Sequence, residues 1–358
     1  MGFSRRHFLQ AAGTGLLLQT RLSKAQQAPA MAPLEPVKPF PGRSKVALIH
    51  GEDRRKNAYE ALVAIDDQIR PRLQGKKYVV IKPNNVSTEK PLASTHADAL
   101  RGILDYLASR FKGPVVIAES AADDTLHAYE NFGYDGLVPE YRGQNVSLVD
   151  LNREAKYETI PLIDFHLHIV PVRLAARLLD PDAFVICAAV LKTHDNAVAT
   201  LSVKNMVLGA PLHSLRGDTP RWNDKLKYHV GDRQMHYNML LTAQKMQPNW
   251  GVALIDGFEG MEGNGPTAGT PVASRIAIAS TDFIAADRVG LETMGVNPDW
   301  LGYLVYCGQV GLGHYGLSKI DVIGARITDV KKTYRLHADI DSMLLWMGPM
   351  TELPPILW

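Results

Sequence analysis

One segment concentrates side chains able to do chemistry: Leu191-Lys-Thr-His-Asp-Asn-Ala-Val-Ala-Thr-Leu-Ser-Val-Lys-Asn-Met206. It carries Lys192, His194, Lys204 and Asn205 directly after the most apolar run of the chain, Phe184–Leu191. A lysine beside a histidine can supply an amine nucleophile, an acid–base pair or a metal ligand. Lys192 and His194 are two residues apart, so on extended backbone they point to the same side. Two lysines brought together repel, which lowers the pKa of at least one and favours an anionic ligand between them. Lys192, His194 and Lys204 are therefore the expected catalytic residues of one convergent site.

The stretch Asp256–Pro271 is of a different kind. Its five glycines permit left-handed turns and close backbone approach to a ligand, and consecutive N–H groups in such loops can cradle an anion. Asp256, Gly260, Gly263 and Gly265 are the expected ligand-binding positions there. The loop lacks the Gly-Lys-Ser/Thr of a phosphate-binding P-loop and does not read G-x-G-x-x-G. Of the twelve histidines, His194, His213 and His236 could supply imidazoles to a metal from separate segments. His166 and His168 flank Leu167 and would share one face of a strand. The only cysteines, Cys187 and Cys307, lie in no C-x-x-C motif, so this chain alone is not expected to hold an iron–sulfur cluster.

The elements that must position these residues are short apolar, β-branched runs. They are Val46–Ile49, Tyr78–Ile81, Val115–Ala118, Val146–Val149, Phe184–Leu191, Val252–Ile255, Arg275–Ala279 and Ile320–Ile323. Helical patterns lie between them. In Ala97–Leu107, Leu100, Ile103, Leu104 and Leu107 share a face, and Ile284–Met294 behaves similarly. Alternating strands and helices predict an α/β fold, a mostly parallel layered sheet with helices on both faces, as one large domain or two closely joined lobes. Open sheets of this kind bind ligands beyond the carboxyl ends of their strands. Four of the runs end there in Lys82-Pro-Asn84-Asn85, Glu119-Ser120, Lys192-Thr-His194 and Asp256-Gly257.

The N-terminus reads Ser4-Arg5-Arg6-His7-Phe8-Leu9, followed by the apolar stretch Ala11–Leu18, then Arg21, Lys24 and small residues. That is the pattern of a twin-arginine export signal, too short for a membrane anchor. The expected organisation is a signal over residues 1–25, a Pro/Ala/Gln-rich linker over 26–44, the α/β domain over 45–330 and a C-terminal tail over 331–358. Residues 1–25 take four of the 39 basic residues and none of the 37 acidic ones, leaving the remainder slightly acidic. No basic stripe suggests nucleic acid, and no apolar run reaches the length of a membrane span. The expected partners are the twin-arginine translocase and a small anionic ligand, with no nucleic acid and no stable membrane anchor. The expected location is the periplasm or another exported compartment.

Taken together, Ile81-Lys-Pro-Asn84, Ser94-Thr-His96, Leu191-Lys-Thr-His194, Val203-Lys-Asn-Met206 with Gly209, Asp256–Gly263 through Gly265-Pro266, Ala279-Ser-Thr-Asp282 with Asp287, and Gly311-Leu-Gly313 resemble the family known as domain of unknown function 362. Many members of that family carry an added ferredoxin-like segment whose cysteines this chain lacks. The resemblance implies that Lys82, Asn84, His96 and Asn205 belong to a cofactor- or ligand-binding site. The order His194, Lys204, His213, with His96 upstream, is also similar to the nickel-pincer lactate racemase family, without its Gly-Gly-Arg-Lys surroundings. These similarities imply a metal ion or an anionic cofactor, and a metal- or cofactor-dependent isomerase or oxidoreductase. The competing expectation is a non-catalytic ligand-binding or redox-accessory protein.

Overall fold

The strands form where β-branched runs meet a buried environment. In the computed structural model, which describes residues 34, 36–229 and 231–348, twelve strands are found among the described residues. They are β1 (Ser44–His50), β2 (Tyr78–Lys82), β3 (Val115–Glu119), β4 (Val146–Asp150), β5 (Tyr157–Ile163), β6 (Ile169–Ala175), β7 (Ala183–His194), β8 (Val198–Thr200), β9 (Trp250–Glu262), β10 (Thr270–Val272), β11 (Ile276–Ser280) and β12 (Ile320–Gly324). The arginine pair and the apolar stretch after it lie outside the described residues.

Ten strands make one sheet in the order β12-β1-β11-β9-β7-β2-β3-β4, with β8 paired to β7 and β10 to β9. The pairs β12–β1, β9–β7, β7–β2, β2–β3 and β3–β4 are parallel, and β11 runs antiparallel to both its neighbours. The sheet is thus mixed but mostly parallel, in one large α/β domain. β5 and β6 form a separate antiparallel hairpin. His166 and His168 sit in its turn, not on a strand face. Asp164 accepts both their backbone N–H groups, at 2.8 and 2.9 Å, and Leu167 has a φ of 64°.

Alternation along the strands divides the core between two faces. Cys187, Ala189 and Leu191 of β7 join a cluster with residues of the helices Ser202–Gly209, Asp232–Met246 and Phe283–Met294. Ile186 and Ala188 join the opposite cluster, with the helices Arg54–Val63 and Ala97–Ala108. The latter helix buries Leu100, Ile103, Leu104 and Leu107 on the face that periodicity assigns. Residues 331–348 return to the domain, with Tyr334, Met343 and Trp346 buried.

Candidate functional site

All twelve residues of β7 are buried, including Lys192, Thr193 and His194. The pairing with β9 is irregular between Val190 and Lys192. There β8 folds back on β7 and sets Lys192 opposite Thr200 and His194 opposite Val198. The helix Ser202–Gly209 starts immediately afterwards. Its first N–H groups would be orphaned, but the buried Asp287 carboxylate accepts from Ser202 N at 2.7 Å and Val203 N at 3.0 Å, and from the Ser202 hydroxyl. This clamp fixes the helix that carries Lys204 and Asn205 back toward the end of β7.

The structure brings Lys192, His194 and Lys204 together, without Asp256 or the glycine-rich loop. Lys192, His194 and Lys204 line one cavity of about 210 Å³, together with Asn205, Lys225 and Glu119. Lys204 Nζ lies 2.8 Å from His194 Nε2, and His194 Nδ1 lies 2.9 Å from Asp195 Oδ1. Asn196 N–H also approaches Nδ1, at 3.0 Å. These two neighbours of Nδ1 favour opposite tautomers. With Nδ1–H turned to Asp195, Nε2 accepts from the Lys204 ammonium; with Nδ1 accepting from Asn196, Nε2–H donates to a neutral Lys204 amine. The pair therefore accommodates Lys204 in either protonation state.

Beside it, Lys82 is buried and donates to Glu119 Oε2 at 2.9 Å, Pro83 O at 2.9 Å and Asn205 Oδ1 at 3.0 Å. A Cβ at position 209 would collide with the end of the Lys82 side chain, so Gly209 leaves room for that ammonium. Asn205 also accepts from Asn84 Nδ2 at 3.0 Å and donates to Cys187 Sγ at 3.2 Å. Lys225 reaches the carbonyls at the end of the helix, Leu208 O at 3.2 Å and Gly209 O at 3.5 Å.

Burial dominates the electrostatics. It lowers Lys204 from 10.5 to about 7, with the nearby Lys82 charge acting in the same sense and Asp195 against it. Lys192, fully buried, is held well below the ordinary lysine range, first by burial and then by the Lys204 charge. His194 is pushed down to about 3 by the same two causes, and burial brings Lys225 to about 7. The one carboxylate in the lining that is deeply buried, Glu119, is already matched by Lys82. The site thus gathers more cationic capacity than it neutralises.

Other residues singled out from the sequence lie elsewhere. Asp256 is not at a strand tip, because β9 continues to Glu262 and pairs Asp256 with Ala277 of β11. Its buried carboxyl faces Arg54, 3.3 Å away. His96 caps the helix Ala97–Ala108 through its Nδ1. Both are absent from the lysine-lined cavity. The glycine-rich loop packs against protein: Gly260 against Tyr334 and Leu191, Gly263 against Arg335, and Gly265 against Thr193. The His194, His213 and His236 grouping does not form a centre. The nitrogens of His213 face Ser214 O and Ala121 O at 2.9 and 2.8 Å, while His236 is buried against Tyr303 and Trp346. Among the described residues, no group of three or more His, Cys, Asp or Glu side chains is placed to hold a metal ion.

Sequence reasoning placed Glu119 at a ligand-facing strand tip without giving it a role, and did not single out Lys225. Glu119 had a signal: β2 and β3 are parallel neighbours with Ile81 opposite Ile117, which puts Lys82 and Glu119 at similar depth. Lys225 comes from the short turn Asp224–Tyr228, and no periodic pattern marks it.

A mostly parallel α/β domain with a buried lysine–histidine cluster at the carboxyl ends of β2, β3 and β7 is what fold and site define. The chain belongs to the family described as Domain of unknown function (DUF362), which matches residues 79–292. It is 25% identical over 240 residues to the thylakoid-associated protein sll1697 of Synechocystis sp., covering 65% of this chain and 68% of that protein. A crystal structure of a Thermotoga maritima protein aligns with a TM-score of 0.38 and 11% identity, over 62% of this chain and 55% of that one.

Proposed function

We propose that this chain is an exported enzyme that binds a small anion in the cavity beyond β7 and uses the Lys204 amine, oriented by His194, as its acid–base group. The observation that carries the reading is the gathering of Lys192, Lys204 and Lys225 around one cavity whose deeply buried carboxylate already has its own partner in Lys82. Buried charge without a partner is costly, and an anion between the amines supplies the partner. An amine titrating at about 7 is matched to proton transfer near neutral pH, because general acid–base catalysis is most efficient when the group's pKa lies near the operating pH. His194 holds the amine at 2.8 Å. The arginine pair and the apolar stretch of the N-terminus support the export part of the reading.

Two measurements test the enzyme reading. Calorimetric titration of the purified protein with inorganic phosphate and with short carboxylates should show saturable binding, weakened at least tenfold in Lys204→Met. Incubation of short carboxylic acids with the protein in D2O should show deuterium entering the carbon next to the carboxylate, and Lys204→Met should lose this. Binding without exchange would leave a ligand-binding protein; no binding by any anion would remove the reading altogether.

A further inference from the structure

A second recess lies at the other end of the sheet. The lysine cavity takes in Lys192 and His194, where β7 ends. A cleft of about 390 Å³ takes in Phe184 and Trp250, where the parallel strands β7 and β9 begin. Its volume falls within the ~300–1,000 Å³ of sites for small organic molecules. Three residues of its lining, Lys38, Arg72 and Lys76, are cationic, and none is acidic.

Arg72 lies in the last turn of the helix Asp66–Leu73 and is half-buried. Among the described residues it has one hydrogen bond, from Nη1 to Thr281 O at 3.2 Å, and no ion pair with a carboxylate. The charge of Asp282 reaches it through space, but the Asp282 oxygens are engaged elsewhere. Oδ2 accepts from Ser44 Oγ at 2.5 Å and His314 N at 2.7 Å, and Oδ1 accepts from Ile284 N and Ala285 N at 3.0 and 3.1 Å. Burial holds Arg72 below its ordinary value in spite of Asp282. Lys76 donates to a carbonyl, Pro181 O at 2.7 Å, which leaves its charge unmatched as well. A cation drawn partly out of water without a counter-charge is costly, and a bound anion offsets that cost.

Where the cleft is open, its remaining surface is largely apolar. Phe40 is half-buried, anchored by its N–H to Gly311 O at 2.9 Å, with its ring centre 5.6 Å from Arg72 Cζ. Pro41 and Pro248 belong to the same lining and are exposed.

We infer that this cleft binds a small aromatic carboxylate, with its carboxylate on the Arg72 guanidinium and its ring against Phe40 and the two prolines. The planar guanidinium matches a carboxylate with paired donors. Aromatic rings packed offset or edge-on gain more than the burial of their area alone. A fully hydrated anion such as phosphate would leave the apolar faces in water, and a neutral aromatic molecule would leave the guanidinium unmatched. The site is separate from the lysine cavity and does not rest on the reaction proposed there.

The test is calorimetric titration of the purified protein with benzoate and 2-naphthoate, against benzamide and cyclohexanecarboxylate. The expected result is saturable binding of both aromatic acids. Benzoate should bind at least tenfold tighter than benzamide and at least threefold tighter than cyclohexanecarboxylate. Arg72→Met should weaken the aromatic acids at least tenfold, Phe40→Ala at least threefold, and Lys204→Met not at all. Without ligand, Arg72→Met should melt at or above the parent temperature, because it removes an unmatched charge. If it melts lower, Arg72→Lys carries the comparison, since it keeps the charge but loses the paired donors and should still weaken binding at least threefold. Equal affinity for benzoate and either control, or undiminished affinity in the natively folded Arg72 variant, overturns the inference. Affinity lost in Lys204→Met instead would move the ligand to the lysine cavity and overturns it too, as does the absence of binding by both aromatic acids.

Discussion

The Lys204 amine is buried where the solvent reaction field that ordinarily stabilises its charge is missing, so its folded pKa falls from 10.5 to about 7. Lys192 is shifted in the same direction. The sign of the consequence follows from linkage. Between about pH 7 and 10 the unfolded chain binds these protons and the folded chain does not, so folding stability rises with pH across that window. Buried tyrosines such as Tyr228, raised above their ordinary 10.0 by burial, oppose the trend only once pH exceeds the unfolded value. The free energy of urea unfolding, measured without added anions, should therefore be higher at pH 9 than at pH 7. Lys204→Met should reduce that rise. Bound anion should act oppositely, since it stabilises the charged amines and its affinity should fall as pH climbs through 7. A stability that is flat or declining from pH 7 to 9 would show that the lysines are not desolvated as their burial requires.

At the scale of elements, what was legible depended on how much of each signal is local. Each of the eight apolar runs read as a strand is a strand, because β-branched residues in a buried, mostly parallel sheet need no alternation to be recognised. The hairpin β5–β6 escaped: each strand carries a proline, Pro161 opposite Pro171, and proline argues against a strand interior. β8 and β10 have three residues each, too few for a period. Of the site, Lys192, His194 and Lys204 were readable because one strand and its return hold them within a short stretch of chain. Lys225 and the Asp287 clamp were not, because their positions depend on packing between elements distant in sequence. The glycine-rich loop was legible as a place of close approach, and what approaches its glycines is Arg335, Tyr334 and Thr193. Gly263 has a φ of 75° and donates its N–H to Arg335 O at 2.7 Å. A β-branched residue there meets both the left-handed penalty, about 1–2 kcal/mol, and the Arg335 side chain. Gly263→Val should therefore lower stability by at least about 1–2 kcal/mol in urea unfolding while anion affinity in the folded protein stays as in the wild type. A selective loss of affinity at unchanged stability would return the loop to the ligand site.

For the whole molecule, the buried cluster bears on the route of export. Lys82, Lys192 and Lys204 are all nearly inaccessible, and their partners come from Pro83 just after β2, from β3, β7, the helix Ser202–Gly209 and the turn before Ser94. Such a cluster is satisfied only when those distant segments have met, and it then lies inside a mixed sheet whose neighbours are far apart in sequence, the kind of topology that folds slowly. If the chain is exported as proposed above, it is well served by folding in the cytoplasm, with any ligand present, before it crosses the membrane. The residues Ser4–Leu9 with the apolar stretch Ala11–Leu18 match the signal of a translocase that takes folded cargo. The prediction is that replacing Arg5 and Arg6 together by lysine, which keeps the charge of the n-region and changes only the guanidinium pair, leaves the protein folded and trapped in the cytoplasm at the length of the uncleaved precursor. Cell fractionation with immunoblotting reads the location, and limited proteolysis of the trapped precursor reads its folding. Undiminished protein in the periplasm after the double substitution would mean that the arginine pair is not what the export machinery recognises. Retention of a protease-sensitive, unfolded precursor would separate export from folding, and slow assembly of the buried cluster would then no longer account for the route.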